Sequence, residues 1–373
     1  METRKRISDT MIRNDRNATG DRVGRPYRKR MARAAGAARI TFPRRSAGTI
    51  IATIAIFVTW ITRKQKGAVM NMLLSLLSLM LVGLFTAPAA AEQSAPPPVA
   101  GQAVAVGDFS VLPLLDGIHG FPLNLFHGAD QTTLLAIAGG SPAPGSFNVF
   151  LIKHGQERFL VDTGNGTLRP ERKGQLPLCL QEAKTAPEEI NKIFITHLHG
   201  DHMGGLVKDG KPAFAKAKVH VAKAEYDYWM NEESMRHAPE GRRGLYPLVR
   251  EVLRVLENEK LLVFFTPGEV VSPGITSVAL FGHTPGHSGF MLASGGKKLF
   301  FVGDLLHAGA IQFARPDITV NFDVDQPMAK ETRLRTFKQV AAEATPIAAA
   351  HLPFPGMGLV RAEGDGYRFE TFK

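Results

Sequence analysis

The stretch THLHGDHMGG (Thr196–Gly205) sets three histidines and one aspartate within six residues and follows them with two glycines. His197 and His199 are two apart, so in an extended segment both side chains point to the same side. Gly200 lets the backbone turn sharply, and Asp201 and His202 then present a second pair of ligands to a neighbouring position. Imidazole nitrogen and carboxylate oxygen are the ligands expected of zinc and similar borderline ions. Taken alone, the cluster also fits a polar helix start, with Asp201 capping a helix that begins near Met203. Further donors in GHTPGH (Gly282–His287), VGDLLH (Val302–His307) and AAHLPFPG (Ala349–Gly356) favour the metal reading.

Around the cluster the β-rich runs come in groups. FNVFLI and RFLVDTG are separated by a Gly-containing turn, and KIFIT runs directly into His197. KVHVA, LLVFF, ITSVALF, GFMLA and KLFFVGD read as further strands, and PIAAA precedes a closing hairpin, GLVRAEGDGYRFETF. Helices are expected over Leu176–Glu182, through most of Ala224–Glu257 with a break near Pro239–Gly244, and over Pro327–Glu343. Strand groups separated by helices favour an α+β fold with antiparallel or mixed sheets covered by helices. Several strands end beside a metal-binding type of residue, at His197, His283, Asp304 and His351, so distant donors can converge on one sheet edge.

THLHGDH followed by GHTPGH, FVGD and the late His351 resembles the metallo-β-lactamase fold superfamily of binuclear metallohydrolases, over roughly Gly145 to Lys373. Within it, SFNVFLIKHGQERFLVDTG, AEYDYW, GDLLHAGAIQF and HLPFPGMGLVRAEGDGYRF resemble the branch containing methyl parathion hydrolase and quorum-quenching lactonases. The resemblance implies a four-layer αβ/βα sandwich with mixed sheets. It makes His197, His199 and His283 ligands of one metal and Asp201, His202 and His351 ligands of a second, with Asp304 bridging. Asp201 and Asp304 are its catalytic carboxylates, and two divalent ions, zinc above all, are its cofactors. Two metals about 3.5–4 Å apart can share a hydroxide that attacks an ester, lactone or phosphotriester, with no Ser or Cys nucleophile. Asp162 in VDTG is implied as a residue that orients the ligand loop through hydrogen bonds. His287 is read as bonded to nearby backbone in preference to a metal.

Substrate selection is expected from side chains around the metals. DGIHGFPLNLF (Asp116–Phe126), with Phe121 and Phe126, is apolar yet outside the strand pattern, which suits a lid or entrance loop as well as core packing. Trp229 resembles a pocket-wall aromatic of the phosphotriesterase branch, and His307 is placed to line the pocket. His119, His127, His154, His220 and His237 have no such context and are read as ordinary.

The 373 residues carry a net charge of +11, but 17 Lys and Arg against 4 Asp and Glu lie at or before Lys66. The remainder has 28 basic and 30 acidic residues, so the positive charge belongs to the leader. Residues 1–69 read as a basic leader containing TIIATIAIFVTWIT (Thr49–Thr62). Residues 70–91 read as a signal peptide whose apolar run ends in Ala89-Ala90-Ala91, with cleavage after Ala91. A Pro- and Ala-rich linker, 92–102, and a hydrolase domain, 103–373, complete the chain. This organisation implies a periplasmic or secreted enzyme with a small, apolar-surfaced substrate. Membrane contact is confined to export or to an uncleaved anchor, nucleic acid is not a partner, and a homodimer is left open. Cys179 is the only cysteine, so no intramolecular disulfide forms. A class B β-lactamase is disfavoured because that cysteine lies upstream of the histidine cluster. A glyoxalase II-like thioesterase lacks its glutathione-binding basic residues here, and a non-enzymatic binding module is hard to square with seven retained ligands.

Overall fold

A computed structural model describes residues 99–168 and 174–372. The leader and signal-peptide expectations lie outside these residues. Two seven-stranded sheets are built in chain order, beside two small two-stranded ones among the described residues. The first comprises β1 (Val104–Val106), β2 (Phe109–Phe121), β3 (Ala143–His154), β4 (Glu157–Val161), β5 (Lys192–Phe194), β6 (Lys218–Ala222) and β7 (Leu262–Phe265). The second comprises β8 (Val270–Ser272), β9 (Ile275–Ala279), β10 (Ser288–Ser294), β11 (Lys297–Gly303), β12 (Ile347–Ala349), β13 (Met357–Glu363) and β14 (Gly366–Thr371). β1 to β4 pair antiparallel and β4 to β7 parallel, while the second sheet is antiparallel except between β11 and β12. Both sheets are therefore mixed, in an α+β fold.

Side-chain alternation builds the layers. Along β3, Val149 and Leu151 join a core with the helices α2 (Leu176–Glu182), α4 (Lys223–Met230) and α7 (Leu245–Asn258), whereas Phe150 and Ile152 point into the space between the sheets. In β11, Leu299 and Phe301 meet them there, and Phe300 and Val302 pack on the other face against Phe337 and Val340 of α9 (Gln326–Ala342). α7 buries Tyr246, Val249, Val252, Leu253 and Leu256, a helical stripe facing the first sheet. Asp325 caps α9 by accepting from Met328 N at 2.9 Å. The result is helices, sheet, sheet, helices. Among the described residues no helix is long and apolar enough to cross a membrane.

Two expectations are corrected. The segment Asp116–Phe126 is not a detached lid, because Asp116 to Phe121 belong to β2 and pair with β3 as far as Phe121↔Ala143. The register shifts between Leu115 and Gly117. The extra residue, Asp116, interrupts the alternation that would mark a strand. Its carboxylate is fully buried and accepts from Asn165 N at 2.7 Å, Asn165 Nδ2 at 3.0 Å and Leu176 N at 2.8 Å. The packed fold also starts upstream of Ala103, since Leu115 N donates to Val99 O and Gly101 N to Pro113 O. Two short helices, α1 (Gln131–Ala138) and α8 (Gly309–Ala314), lacked a readable pattern in the sequence.

Candidate metal centre

The donors gather at one edge of the sandwich, each delivered by the end of a strand. β4 runs into Asp162, β5 into Thr196 and His197, β11 into Asp304 and β12 into His351; the turn between β9 and β10 carries His283 and His287. Short helix α3 (Gly200–Met203) presents Asp201 and His202. Gly303, at φ +50°, makes the close approach possible, because a Cβ there would lie 2.6 Å from His287 Nε2.

Three groups of donors converge, each within 4.8 Å: His197, His199, His283 and Asp304; Asp201, His202 and His351; and Asp304, His307 and His351. His199 Nδ1 lies 2.9 Å from His197 Nε2 and 3.0 Å from His283 Nε2. Asp304 is central. Its Oδ1 is 3.0 Å from His202 Nε2 and 3.1 Å from His351 Nε2, and its Oδ2 is 3.2 Å from both His283 Nε2 and His307 Nε2. Asp201 Oδ2 stands 3.6 Å from His351 Nε2, and its side chain is 24% exposed. His202 Nε2 and Asp304 Oδ1 are buried with no hydrogen-bond partner. Buried imidazole nitrogen and carboxylate oxygen without hydrogen-bond partners, 3.0 Å apart, are a donor set that fits divalent cations.

The far sides of the rings are fixed. His202 Nδ1 lies 2.9 Å from Asp162 Oδ2, His283 Nδ1 3.0 Å from Asp323 Oδ1, His351 Nδ1 3.1 Å from Ser146 O and His197 Nδ1 3.2 Å from Thr196 Oγ1. Asp162 also accepts from Thr196 N at 2.8 Å and does so at φ 61°, a backbone region that non-glycine residues seldom occupy. His287 donates from Nδ1 to Leu280 O at 2.8 Å and accepts at Nε2 from Asp304 N at 3.0 Å. Both nitrogens are committed to backbone, so this ring positions Asp304 and has no lone pair left for a cation.

Burial pushes His197 and His199 well below the ordinary histidine range, into the neutral form that binds metals. It takes His307 down to about 4 and His287 to about 3. Against the opposing effect of burial, Asp304, Asp162 and Asp201 hold His202 well above that range, and Asp304 and Asp323 raise His283 to about 9. A proton and a cation therefore compete for those two rings. Burial also opposes the charge of Asp304, but His202, His351, His197 and His283 outweigh it and hold the carboxyl well below its usual range.

Above the donors lies a cleft of about 370 Å³ walled by His119, Phe121, Leu125, Phe147, Leu245 and Phe322, with Arg242 and Asn321 at its side. Of the expected pocket residues, Phe121 and His307 line it. Trp229 and Phe126 do not. Trp229 is 2% exposed and packs behind His199, ring centroids 5.8 Å apart. Phe126 is buried in a hydrophobic cluster with Leu134, Ile311 and Val320. His119, read as ordinary, is part of the wall: it stacks on Phe147 at 5.2 Å and meets Phe121 edge-on at 4.8 Å. Asp323 and Glu225 also stand behind the donors without having been singled out: Asp323 has no motif around it, and Glu225 lies within AEYDYW, where attention fell on Trp229.

A family model described as the metallo-beta-lactamase superfamily matches residues 143–351. A probable metallo-hydrolase of Mycobacterium tuberculosis is 26% identical over 212 residues, 52% of this chain and 65% of that protein, so the chain spans less than two thirds of that relative's length. Among solved structures, a hydrolase named AbOPH in the beta lactamase superfamily aligns with TM-score 0.71 at 28% identity, covering 74% of this chain and 98% of its own. AidC, a dizinc quorum-quenching lactonase in complex with a product, an N-acyl-L-homoserine, aligns with TM-score 0.68 at 28% identity, covering 74% and 99%.

Proposed function

This chain belongs to the metallo-beta-lactamase superfamily, and from that membership we propose that it is a binuclear metal-dependent hydrolase opening a lactone or carboxylic ester that carries an apolar chain. The observation that carries the reading is a floor of seven buried or half-buried donors beneath a wall of aromatic and aliphatic side chains in one cleft. The likeness to a dizinc lactonase over nearly its whole length supports the lactone class.

His197, His199 and His283 hold one ion in this proposal, Asp201, His202 and His351 hold the other, and Asp304 serves both. Divalent ions there, zinc in this proposal, would polarise the scissile carbonyl and bring the pKa of water at the cleft floor towards neutrality. The protein's own part is preorganisation. Asp162, Asp323, Thr196 and the Ser146 carbonyl fix the ring orientations, so little rearrangement is needed when charge develops. Asp201, the open carboxylate, faces entering substrate. His307 lines the cleft, is held neutral by burial, lies with Nε2 3.2 Å from Asp304 Oδ2 and has no hydrogen-bond partner in the protein at Nδ1, which suits a contact with a substrate oxygen. The wall of Phe121, Leu125, Phe147 and Phe322 takes the apolar chain and excludes water.

Export is part of the proposal, on the signal-like run Met70–Ala91, as is a small molecule and not nucleic acid as substrate, since the chain after Lys66 has 28 basic and 30 acidic residues. The test is a hydrolysis panel on metal-loaded protein: N-acyl-homoserine lactones of graded chain length, aryl esters, a paraoxon-type triester and a cephalosporin. Lactone or ester turnover that rises with chain length is expected. Turnover of the triester or the cephalosporin alone would overturn the substrate class.

A further inference from the structure

Glu225 sits in the first turn of α4, 1% exposed, and touches none of the metal-binding candidates. Its carboxylate nevertheless accepts four hydrogen bonds. Oε1 takes Leu198 N at 3.0 Å and Trp229 Nε1 at 2.8 Å; Oε2 takes Thr284 Oγ1 at 2.6 Å and Gly286 N at 3.0 Å. Leu198 stands between His197 and His199, and Thr284 follows His283. One buried side chain therefore spans the two loops that carry the first three histidines, which are otherwise 84 residues apart at their His199–His283 contact. The approach is close enough that a Cβ on Gly286 would fall 2.2 Å from Glu225 N, so the glycine there is a steric requirement. Among the described residues no Lys or Arg pairs with this carboxylate. It is a buried carboxyl held by four donors beside the histidine cluster.

We propose that Glu225 is the positioning residue of the first site: it sets the spacing of His197 and His199 against His283, and with it the affinity of that site for its ion, while leaving the Asp201, His202 and His351 set to other supports. The second set is anchored elsewhere, by Asp162 on His202 and by Ser146 O on His351. This rests on the two-ion reading above. All four partners donate, and each carboxylate oxygen can accept two bonds, so the demand is met only by two acceptor oxygens. Glu225→Gln keeps shape and volume but turns one oxygen into an NH2 that must face a donor, on one side or the other.

The experiment dialyses wild type, Glu225→Gln and Glu225→Asp against graded EDTA, measures bound zinc per chain, and records melting with and without zinc. Glu225→Gln is expected to release one equivalent at about 10- to 100-fold lower chelator than wild type while holding the second as wild type does. In a His351→Ala background, where the first set alone is complete, the same change should strip the remaining ion. Glu225→Asp, too short to span both loops, should resemble Glu225→Gln. Metal-free melting should move less than zinc-loaded melting. Equal chelator curves for wild type and Glu225→Gln would overturn the proposal, and so would parallel loss of both ions or an equal drop in the two melting points. Wild type holding a single ion would overturn the two-ion reading instead, and the His351→Ala comparison would still decide the role of Glu225.

Discussion

The floor and the wall of the cleft are held by different forces. On the floor, His202, His283 and His351 each have one nitrogen at the centre and the other within 3.1 Å of a protein oxygen. On the wall, Phe121, Phe147 and Phe322 are placed by ring packing, with centroids 4.8 to 5.6 Å from their neighbours. Directional bonds leave one geometry for the floor, whereas packing tolerates replacement by side chains of similar volume. Under the proposed function the contrast makes reaction chemistry and substrate range separable, the first resting on the floor and the second on the wall.

The largest effect that would break this contrast is expected at its centre. Asp304→Ala removes the carboxylate that faces four histidines at 3.0 to 3.2 Å, and should depress both zinc content and lactone or ester turnover by more than about 100-fold. Elemental analysis and initial rates check it; full activity with two ions bound would sink the assignment of Asp304 as the shared ligand. Next comes Asp162→Asn, which keeps the shape but loses the charge that orients His202 and receives Thr196 N. It should cost about 10- to 100-fold in metal affinity, read by chelator competition.

A wall substitution should behave differently in kind. Phe322→Ala is expected to raise KM for long-chain substrates about 10-fold over short-chain ones, corresponding to roughly 1.4 kcal/mol of lost apolar contact, with zinc content unchanged. Loss of metal in this variant would show that floor and wall are coupled. The smallest effect belongs to a residue away from both. Burial, reinforced by Asp116 and Glu182, pushes the Cys179 thiol up to about 12, so it stays protonated at neutral pH. Since the thiolate is the nucleophile, native protein at pH 8 should resist iodoacetamide and denatured protein should react, as mass spectrometry would record.

Much of the floor was legible because metal chemistry restricts residue type and local spacing together. His197, His199, Asp201 and His202 announce themselves in THLHGDH, and His283, Asp304 and His351 follow the apolar, strand-like runs ITSVALF, KLFFVGD and PIAAA. The helices expected over Leu176–Glu182 and Pro327–Glu343 also form, over Leu176–Glu182 and Gln326–Ala342. The wall carried no such signal. His119 and Phe121 were hidden by the Asp116 bulge, which breaks the two-residue period, and Trp229 has the composition of a pocket residue but spends its indole N–H on Glu225.

What the sequence by itself determined is therefore the superfamily and the local cluster of candidate donors from His197 to His202, because residues within a few positions of one another need only the local backbone to meet. What only the tertiary structure decided is which side chains stand over those donors and which buried carboxylates hold them. Asp323 reaches His283 across 40 residues and Glu225 reaches Thr284 across 59, and the pairing of such distant groups is set by how the layers pack, which leaves no local pattern in the chain.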